Sequence, residues 1–594
     1  MPNVIVRSTL WRVGLFTVLL LVAVVSMFSQ ANAEGPGTPP PLATLVPPTL
    51  VPPPPPPTAP PPFTQSAIAG IKANNVLRVG ILYNIGRFST LTSTGDVDGF
   101  EADIAQAIAD DWGVKLEFHQ VTRQNALNLL LSGQIDLLMG QVVLSRDAQA
   151  MVDYSDPLFM NKQVALVNSD SGLKELKDLV GKSVGVVMGS PSEAAFNSWM
   201  QGNNLQSNVK RYLMLDDAIR ALINKEVDAV VGDRWELDQR VNGVVQGVSL
   251  LNGVFRTDPY AIAMRRYDDN LRTLVDRTLQ RLVQSNRFDP IYDLWFPKDL
   301  MPVEDRIAPR VWKDLDTDSR AVADFATDIV MPEQPVIAKI TAKQPLRVAG
   351  LGAPPDATGK PPVLEAFNQA LINEMARRWG VQVQSVPNSY GNAEDVLASG
   401  QADLAVGIEP HWSKVDRVDF VSIYAQHAYR LMTPFGTTVI KKFDDLFATN
   451  RQIGYFDDDP AALDLVKKLA DKYKINPDSI KGIALKSDQG SLQVLGDRTA
   501  NFVFGDSLRL LPIAQANPTA AQMVDGDYGP AKPIAFAVPR NDADFRVLVD
   551  VTLQDMYRDG TYQNLWKANF GLGDPLSMVV WPGSSTLFGI KTSN

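Results

Sequence analysis

The sequence predicts an α/β protein made of two tandem modules, each with two lobes. Three observations point to this fold class. Short segments of the first half return about 270 residues later in the chain. Within each half, apolar segments with strand and helix periodicity alternate, which is typical of a mostly parallel sheet covered by helices. That alternation stops and restarts midway through each half, which indicates two lobes per module.

The internal repeat rests on four pairs of matching segments. Residues 77–79 (LRV) match 346–348, 112–114 (WGV) match 379–381, 132–137 (SGQIDL) match 399–404 (SGQADL), and 232–233 (GD) match 505–506. A period this long lies far outside the roughly 20–50 residues of solenoid repeats. Each copy is therefore large enough to close its own core and to act as one unit of function.

Composition excludes several classes of protein. The 594 residues are 45% hydrophobic and 21% charged, as in ordinary soluble proteins, with a net charge of −10. No run of Lys or Arg is present, so nucleic acid is not an expected partner. The chain has no cysteine, which rules out disulfides and thiol catalysis. Its three histidines, His119, His411 and His427, are too scattered for a metal site, and we expect no metal and no cofactor.

Residues 1–33 have the features of a signal peptide or an N-terminal membrane anchor. Arg7 and Arg12 precede an apolar run at 13–28, and the Ala-Asn-Ala at 31–33 resembles a cleavage site. Both alternatives place the rest of the protein outside the cytoplasm, whether periplasmic, secreted or anchored facing outward. Residues 34–66 form a predicted Pro-rich linker, because 36–62 contains 15 prolines in 27 positions and favours an extended chain.

Residues 67–300 form the first predicted module. Its opening half predicts strands at 76–82, 114–118 and 135–139, and helices at 99–111 and 125–131. The pattern restarts after residue 157 with strands at 184–187 and 227–231, each followed by a helix. A strand at 260–264 and a helix at 269–282 close the module. Because open α/β sheets bind ligands at the carboxyl ends of their strands, we expect the ligand in the cleft between the lobes.

The second predicted module, residues 345–575, follows the same plan. A connector at 301–344 joins the modules, and residues 320–329 within it have helical periodicity, followed by prolines at 332 and 335. A C-terminal tail covers residues 576–594. Its apolar part, 577–588, is too short to span a membrane and is interrupted by Pro582 and Gly583.

Several segments occur in the order and spacing of a known protein family. In the first module these are 77–80 (LRVG), 99–105 (GFEADIA), 132–136 (SGQID), 152–157 (VDYSDP), 227–233 (VDAVVGD) and 288–296. The second module matches at 379–381, 399–404, 418–420 and 559–562. Together they resemble the bacterial extracellular solute-binding proteins of family 3, which serve polar amino-acid ABC transporters. The resemblance implies two tandem type II periplasmic-binding-protein modules, each with two α/β lobes and a central ligand cleft.

The resemblance also implies an amino-acid site in the first module. Asp233 stands where the family binds the ligand's ammonium, and an exposed loop carboxylate is the alternative for this residue. Gly189, Ser190 and Ser192 stand in the turn that binds the ligand's carboxylate at a helix N-terminus. Pro191 replaces a hydroxyl residue in that turn and removes one N–H group.

Four further residues complete the ligand-binding candidates of this module. Tyr83 and Phe88 fall in the loop that supplies the family's aromatic wall, and core packing is their alternative role. Gln141 is included in the site. The family's carboxylate-binding Arg is expected near positions 147–148, where none is present. Arg146 lies just upstream, and it reaches the cleft or remains a solvated surface residue.

The second module departs further from the family. Lys414 stands at the expected Arg position, which keeps the charge but loses the two-pronged guanidinium. The carboxylate-binding turn has become 454–460 (GYFDDDP), whose three carboxylates repel an anion or cap the following helix. Asp506 persists at the ammonium position. This module therefore prefers a cationic ligand or has stopped binding one.

The predicted function is capture of an amino acid or similar small polar solute by lobe closure, for the membrane permease of an ABC transporter. A ligand sensor with the same clamp is the neighbouring alternative. A dehydratase-like enzyme is a further alternative, for which Glu193, Asp233 and Glu409 are the conceivable acid–base groups. A purely structural role is another. We expect no enzyme activity and no catalytic residue.

Overall fold

A computed structural model of the protein describes residues 63–243, 246–298, 301, 306–352, 363–387, 393–438, 445, 452–472, 474–524, 526–571 and 576–593. The predicted signal or anchor segment at 1–33 lies outside the described residues. So do all but the last four residues of the predicted Pro-rich linker.

Module 1 has the two predicted α/β lobes. Its described helices are α1 (Ala67–Asn74), α2 (Phe100–Trp112), α3 (Ala126–Leu131), α4 (Pro191–Gly202), α5 (Leu215–Ile223), α6 (Arg234–Gly243), α7 (Asp269–Gln284) and α8 (Phe288–Trp295). Its first seven strands are β1 (Val76–Ile81), β2 (Asn84–Ile85), β3 (Ser89–Leu91), β4 (Val97–Asp98), β5 (Lys115–Gln120), β6 (Leu137–Leu138) and β7 (Val152–Tyr154). The remaining strands are β8 (Phe159–Asn168), β9 (Ser183–Val187), β10 (Asn208–Tyr212), β11 (Ala229–Asp233), β12 (Val248–Leu250), β13 (Arg256–Tyr260) and β14 (Ala263–Arg265).

Each lobe of module 1 is built on its own sheet. The first lobe has the strand order β5-β1-β6-β14-β7, in which β5, β1 and β6 are parallel. The second lobe has the order β10-β9-β11-β8-β12, with β13 also paired to β8. The strand predicted at 260–264 is therefore two strands, because β13 belongs to the second lobe and β14 to the first. The chain crosses between the lobes at this point and again between β7 and β8.

Helices α2, α7 and α8 are held together by the core of the first lobe. Phe100 on α2 and Tyr292 on α8 pack within an aromatic cluster, with ring centroids 5.0 Å apart. Trp112 at the end of α2 donates its indole N–H to Thr278 Oγ1 on α7 at 2.8 Å. Burial of such rings, together with the aliphatic residues of the same core, stabilises this lobe.

Module 2 repeats the plan on one continuous sheet. Its described helices are α9 (Val336–Thr341), α10 (Val363–Trp379), α11 (Ala393–Ala398), α12 (Ala461–Lys472), α13 (Asp488–Gly496), α14 (Ser507–Ala516), α15 (Ala543–Arg558) and α16 (Thr561–Phe570). Its strands are β15 (Leu346–Ala349), β16 (Val383–Ser385), β17 (Leu404–Ile408), β18 (Val418–Pro434), β19 (Gln452–Phe456), β20 (Lys481–Leu485), β21 (Phe502–Asp506), β22 (Ala521–Met523) and β23 (Tyr528–Pro539). A tail hairpin follows, formed by β24 (Thr586–Leu587) and β25 (Ile590–Lys591).

The sheet of module 2 is continuous because two long strands run through both lobes. The order is β16-β15-β17-β23-β18-β21-β19-β20, with β22 also paired to β18. Trp379 donates its indole N–H to Thr552 Oγ1 at 2.9 Å, as Trp112 does to Thr278. The repeated Trp therefore fixes the same helix in both modules, and α7 corresponds to α15.

The helix predicted at 320–329 in the connector is wrong. This stretch contains only a 3₁₀ turn at Val322–Asp324, and the helix of this region is α9. The backbone of the stretch pairs instead with the segment that precedes α1. Ser66 N–H donates to Thr327 O at 2.8 Å, and Ile329 N–H donates to Thr64 O at 3.1 Å. These tertiary hydrogen bonds override the local helical pattern.

The described helices are all short or too polar to cross a membrane. None of them combines the length and the apolar composition that a membrane crossing requires.

Candidate functional site

The candidate site of module 1 lies where the two lobes meet. Asp233 ends β11 in the second lobe and is buried. Gln141 follows β6 in the first lobe, and its side-chain amide donates to Asp233 Oδ2 at 2.9 Å. Asn161 on β8 donates to Asp233 Oδ1 at 2.8 Å. The structure therefore brings Gln141 and Asp233 together from opposite lobes, in contrast to an exposed loop carboxylate.

Glu101, in the first turn of α2, holds Gln141 in place. Both of its carboxylate oxygens accept from the backbone N–H of Gln141 at 3.1 Å. Gln141 has a φ of 56°, a left-handed conformation that is uncommon for a residue with a side chain. Backbone strain of this kind persists where surrounding contacts fix it, and it is frequent at ligand sites.

The site concentrates negative charge. Burial raises the pKa of Glu101 from 4.5 to about 7, against the lowering effect of backbone hydrogen bonds from Gln141 and Gly140. Burial also raises the pKa of Asp233, against hydrogen bonds from its amide neighbours. The positive charge of Arg123 lowers both pKa values. No described cation is bonded to either carboxylate.

Arg123 was not identified from the sequence. It follows β5 in the first lobe and is exposed. A side-chain carbon added at Gly189 would lie 3.9 Å from its Cδ atom, which places Arg123 against the turn of the second lobe. Among the described residues it forms no hydrogen bond or ion pair, so its guanidinium is available to a ligand.

The turn that was expected to bind a ligand carboxylate is occupied by the chain's own Glu193. The N–H of Gly189 donates to Glu193 Oε2 at 2.7 Å, and Arg211 donates to Oε1 at 2.5 Å. Ser190 caps α4 by accepting from Glu193 N–H at 3.1 Å. Ser192 donates to Gln163 Oε1 at 2.7 Å and lies 3.5 Å from Asp233 Oδ1. Ser192 therefore belongs to the Asp233 cluster, whereas Gly189 and Ser190 stabilise the helix start.

The predicted aromatic wall is not formed as expected. Phe88 is 0% exposed and lies inside the aromatic core, with its ring 4.8 Å from that of Phe159. Its assignment to the ligand site is wrong, and core packing is its role. Tyr83 is half-buried beside the same core and donates its hydroxyl to Phe118 O at 3.3 Å. No described contact joins Tyr83 to Asp233.

Trp235 supplies the ring that sequence reasoning missed. It stands on α6 in the second lobe, yet its ring packs 5.4 Å from Phe88 and 5.7 Å from Phe296 in the first lobe. Gly86 leaves the space for it, since a side-chain carbon there would lie 2.8 Å from the indole. The buried indole N–H has no hydrogen-bond partner among the described residues. Trp235 therefore packs across the contact between the lobes, and its indole N–H remains without a partner among the described residues.

Arg146 is neither in the cleft nor on the surface. It is 0% exposed, and its guanidinium donates to Asp555 Oδ1 at 2.5 Å and to Gln554 Oε1 at 3.4 Å. Both partners belong to module 2. Placing Arg146 in the ligand site was therefore wrong, because contacts between the modules hold this side chain.

The equivalent carboxylate of module 2 is already bonded within the protein. Asp506 Oδ1 accepts from Leu508 N–H at 2.9 Å, and its Oδ2 pairs with His427 Nδ1. Lys414 does not join it, since its ammonium pairs with Asp395 on α11 at 2.7 Å. His427 thus occupies the place that Asn161 has beside Asp233.

The acidic turn of module 2 is also satisfied internally. Asp458 forms an ion pair with Arg509 at 2.8 Å, and Asp459 accepts from the Tyr429 hydroxyl at 3.0 Å. These two side chains are therefore held by partners other than the N-terminus of α12.

The pH dependence of stability tests the buried state of Glu101. Since its folded pKa exceeds its unfolded one, the folded state binds more protons between pH 4.5 and about 7, and stability falls as pH rises through that window. We expect Glu101 to contribute a loss of about 2–3 kcal/mol between pH 5 and 8. Module 2 carries the neutral Asn368 at the equivalent position.

Urea unfolding of the wild type and of Glu101→Gln at pH 5 and pH 8 measures this contribution. The variant is expected to show a pH-dependent loss smaller by about 2–3 kcal/mol. Equal losses in the two proteins would show that Glu101 ionises as freely in the folded protein as in the unfolded chain.

Comparison with known proteins identifies the family. The family model for bacterial extracellular solute-binding proteins, family 3, matches residues 77–298 and 353–572. A probable histidine-binding protein of Neisseria gonorrhoeae is 27% identical over 238 residues, which is 40% of this chain and 88% of that protein. The glutamine-binding protein GlnH of an ABC transporter of Bacillus subtilis is 26% identical over 247 residues, which is 40% of this chain and 86% of the relative.

Solved structures give corresponding similarities. An ancestral arginine-binding protein bound to arginine is 32% identical, with a TM-score of 0.33, covering 37% of this chain and 98% of that one. An ancestral amino acid-binding protein described as a precursor of cyclohexadienyl dehydratase is 26% identical, with a TM-score of 0.35, covering 39% and 99%. The two family matches together span well over half of the sequence. The chain therefore belongs to the bacterial extracellular solute-binding proteins, family 3, and carries the family's domain twice.

Proposed function

We propose that module 1 captures a small polar solute, an amino acid, by closing its two lobes, and delivers it to an ABC-type permease outside the cytoplasm. One observation carries this proposal. Glu101 and Asp233 come from opposite lobes, are buried, accept hydrogen bonds from the same residue, Gln141, and have no cation bonded to them among the described residues. Buried carboxylates without a partner cation favour a ligand that brings a positive charge.

The ligand's ammonium binds to Asp233 in this proposal. Asn161 and Ser192 both contact Oδ1 of Asp233, whereas Oδ2 accepts from Gln141 and keeps one further acceptor position for the ammonium. The hydrogen bond from Gln141 joins the lobes directly. Entry of a ligand therefore requires the lobes to separate at this bond, and closure restores it with the ammonium in place. A ligand sensor would use the same clamp.

The ligand's carboxylate binds to Arg123. The family's turn is unsuited to this task because Glu193 already accepts from Gly189 N–H. Arg123 lies beside that turn and has no partner among the described residues. A guanidinium forms strong, paired hydrogen bonds with a carboxylate. The two poles of the amino acid are thus assigned to residues of opposite lobes.

Module 2 does not bind a solute in the same way. Its Asp506 is paired with His427, and its Lys414 is paired with Asp395. We therefore assign solute binding to module 1 and no catalytic residue to either module. Residues 1–33 fit this assignment as an export signal or an outward-facing anchor, since a binding protein that captures solute outside the cytoplasm has to be exported.

Binding of a panel of solutes to the wild type and to Arg123→Ala tests which residues hold the ammonium and the carboxylate of the ligand. We expect a polar amino acid to raise the melting temperature of the whole protein. Arg123→Ala should weaken binding of that amino acid about 10–100-fold, because a charge-assisted pair is lost. The decarboxylated amine of the same amino acid should bind the wild type and the variant equally.

Arg234→Ala is a matched control, because Arg234 is an exposed Arg of the same module that pairs with Asp238 rather than a ligand. It should leave the affinity for the amino acid unchanged. A wild-type protein that is folded but stabilised by no amino acid in the panel would contradict solute capture. If Arg123→Ala lost affinity for the amino acid and for the amine equally, Arg123 would not be the residue that binds the ligand's carboxylate.

A further inference from the structure

The two modules contact each other through equivalent residues. The matching Trp–Thr bonds align α7 with α15, so that Gln280 corresponds to Gln554. Gln280 Oε1 accepts from the backbone N–H of Trp312 at 2.9 Å, and Gln554 Oε1 accepts from the backbone N–H of Trp581 at 2.8 Å. Residues 311–312 and 580–581 both read Val-Trp. Each module is thus followed by the same short segment, held by the same Gln.

These two segments cross to the opposite module. We call residues 311–313 the connector strap and residues 580–582 the tail strap. The connector strap follows module 1, yet the Trp312 ring packs 5.0 Å from Trp412 of module 2. The tail strap follows module 2, yet Trp581 packs in an apolar cluster of module 1.

Hydrogen bonds of the straps show the same exchange. Trp412 N–H donates to Lys313 O at 3.2 Å, and Arg146 N–H donates to Pro582 O at 2.8 Å. The side chains at these positions then reach back to the paired glutamines. Trp412 Nε1 donates to Gln280 at 3.1 Å, as Arg146 Nε does to Gln554 at 3.4 Å. The backbone hydrogen bond of each strap and the bond to its paired Gln thus have counterparts on the other side.

Two reciprocal ion pairs lie at the centre of the contact. Arg272 on α7 donates to Asp419 of module 2 at 3.1 Å. Arg546 on α15, which corresponds to Arg272, donates to Asp153 of module 1 at 2.6 Å. Asp153 and Asp419 correspond through the repeat. All four side chains are buried. A contact in which residue i meets j and j meets i has the form of a twofold-symmetric dimer interface.

We propose that this face of each module is a self-recognition surface that binds a second copy of the same module, and that the chain is an intramolecular dimer with exchanged straps. The surface consists of the strap, the paired Gln and the Arg–Asp pair. Its partner is a module with the same three features, which here is supplied by fusion. This inference does not depend on a ligand in either cleft.

The contact between the modules gives module 2 a structural role, although its cleft is not assigned a ligand. The contacts join first-lobe elements, namely α7 and β7 of module 1 with α15 and the start of β18 of module 2. The second lobe of module 1 is therefore left to move against a fixed partner. Module 2 keeps the interface residues while Asp506 is tied to His427.

A chain that is cut between the modules tests the proposal. A specific protease site is inserted between the exposed Glu333 and Gln334, and the folded full chain is then cleaved. Each fragment keeps its own strap. We expect the two fragments to elute together as one species at micromolar concentration, because they form a dimer interface. Gln280→Ala and Gln554→Ala should each raise the dissociation constant of the fragments about tenfold, and by similar factors.

The control is Arg220→Ala, which removes an exposed ion pair with Asp217 in the second lobe and should leave the dissociation constant unchanged. Circular dichroism of each cleaved variant confirms that both fragments stay folded. Separation of the cleaved wild type at micromolar concentration would overturn the proposal. So would an effect of one Gln variant without a comparable effect of the other, because a twofold-symmetric surface requires both.

Discussion

Replacing Arg546 with alanine is expected to lower the free energy of unfolding of the full chain by about 3–5 kcal/mol, the range for breaking a buried ion pair by removing one partner. Arg546 is buried, donates to Asp153 at 2.6 Å and lies 3.7 Å from Asp269. Both carboxylates are almost fully shielded from water. Without the guanidinium, Asp269 still pairs with Arg272, whereas Asp153 keeps only the backbone N–H of Tyr267 as a hydrogen-bond partner and becomes a buried charge without a bonded cation.

Urea unfolding of Arg546→Ala measures this loss, with Arg220→Ala as the exposed control. The double variant Arg546→Ala with Asp153→Asn should recover part of the loss, because it also removes one unpaired charge. Arg272→Ala should behave like Arg546→Ala, since Arg272 holds Asp269 and Asp419 in the reciprocal position. A loss below about 1 kcal/mol for Arg546→Ala would place this pair with weak surface ion pairs.

The fold could be predicted because local hydrophobic periodicity and the internal repeat both indicate it. The five strands and helices predicted between residues 76 and 139 lie within two residues of the observed ones, for example α2 at Phe100–Trp112 against 99–111. The errors fall where distant segments decide the structure. The stretch at 320–329 pairs with residues 64–66, which periodicity cannot show. The strand predicted at 260–264 divides because two sheets compete for it.

The candidate site could be predicted only in part. Asp233 and Gln141 meet because one ends a strand and the other follows a strand at the cleft, as their place at the carboxyl ends of apolar strands predicts. Phe88 fits an aromatic wall and an aromatic core equally well from sequence, and five neighbouring rings settle it as core. Arg146 is held by module 2, and a pattern within one module carries no information on contacts between modules.

Residues without a motif were missed for the same reason. Glu101 is part of a matched family segment, but its bond to the strained backbone of Gln141 appears only in three dimensions. Trp235 and Arg123 are single residues at the lobe contact, with no periodic neighbour to mark them. Asp506 shows that a matching sequence position does not guarantee matching contacts. It keeps the sequence position of Asp233, but its partner is a His in place of an Asn.

Replacing Asp233 with asparagine is expected to abolish solute binding while leaving the fold intact. The carboxylate is the proposed partner of the ligand's ammonium, and a charge-assisted hydrogen bond in a buried site is worth about 3 kcal/mol, which corresponds to at least a 100-fold loss of affinity. Asparagine has nearly the same shape and still accepts from Asn161 through its one carbonyl oxygen. Burial already raises the pKa of Asp233, so a neutral replacement removes a desolvated charge and should not lower stability.

Calorimetric titration with the amino acid that stabilises the wild type measures the loss, and the melting temperature of the free variant reports its fold. Asp506→Asn is the matched control, because it makes the same change at the repeated position in module 2. It should leave the affinity unchanged if binding resides in module 1. An Asp233→Asn variant that melts normally and binds with wild-type affinity would show that the ammonium is held elsewhere. A loss in Asp506→Asn alone would move the site to module 2, where His427 then has to release its carboxylate for the ligand.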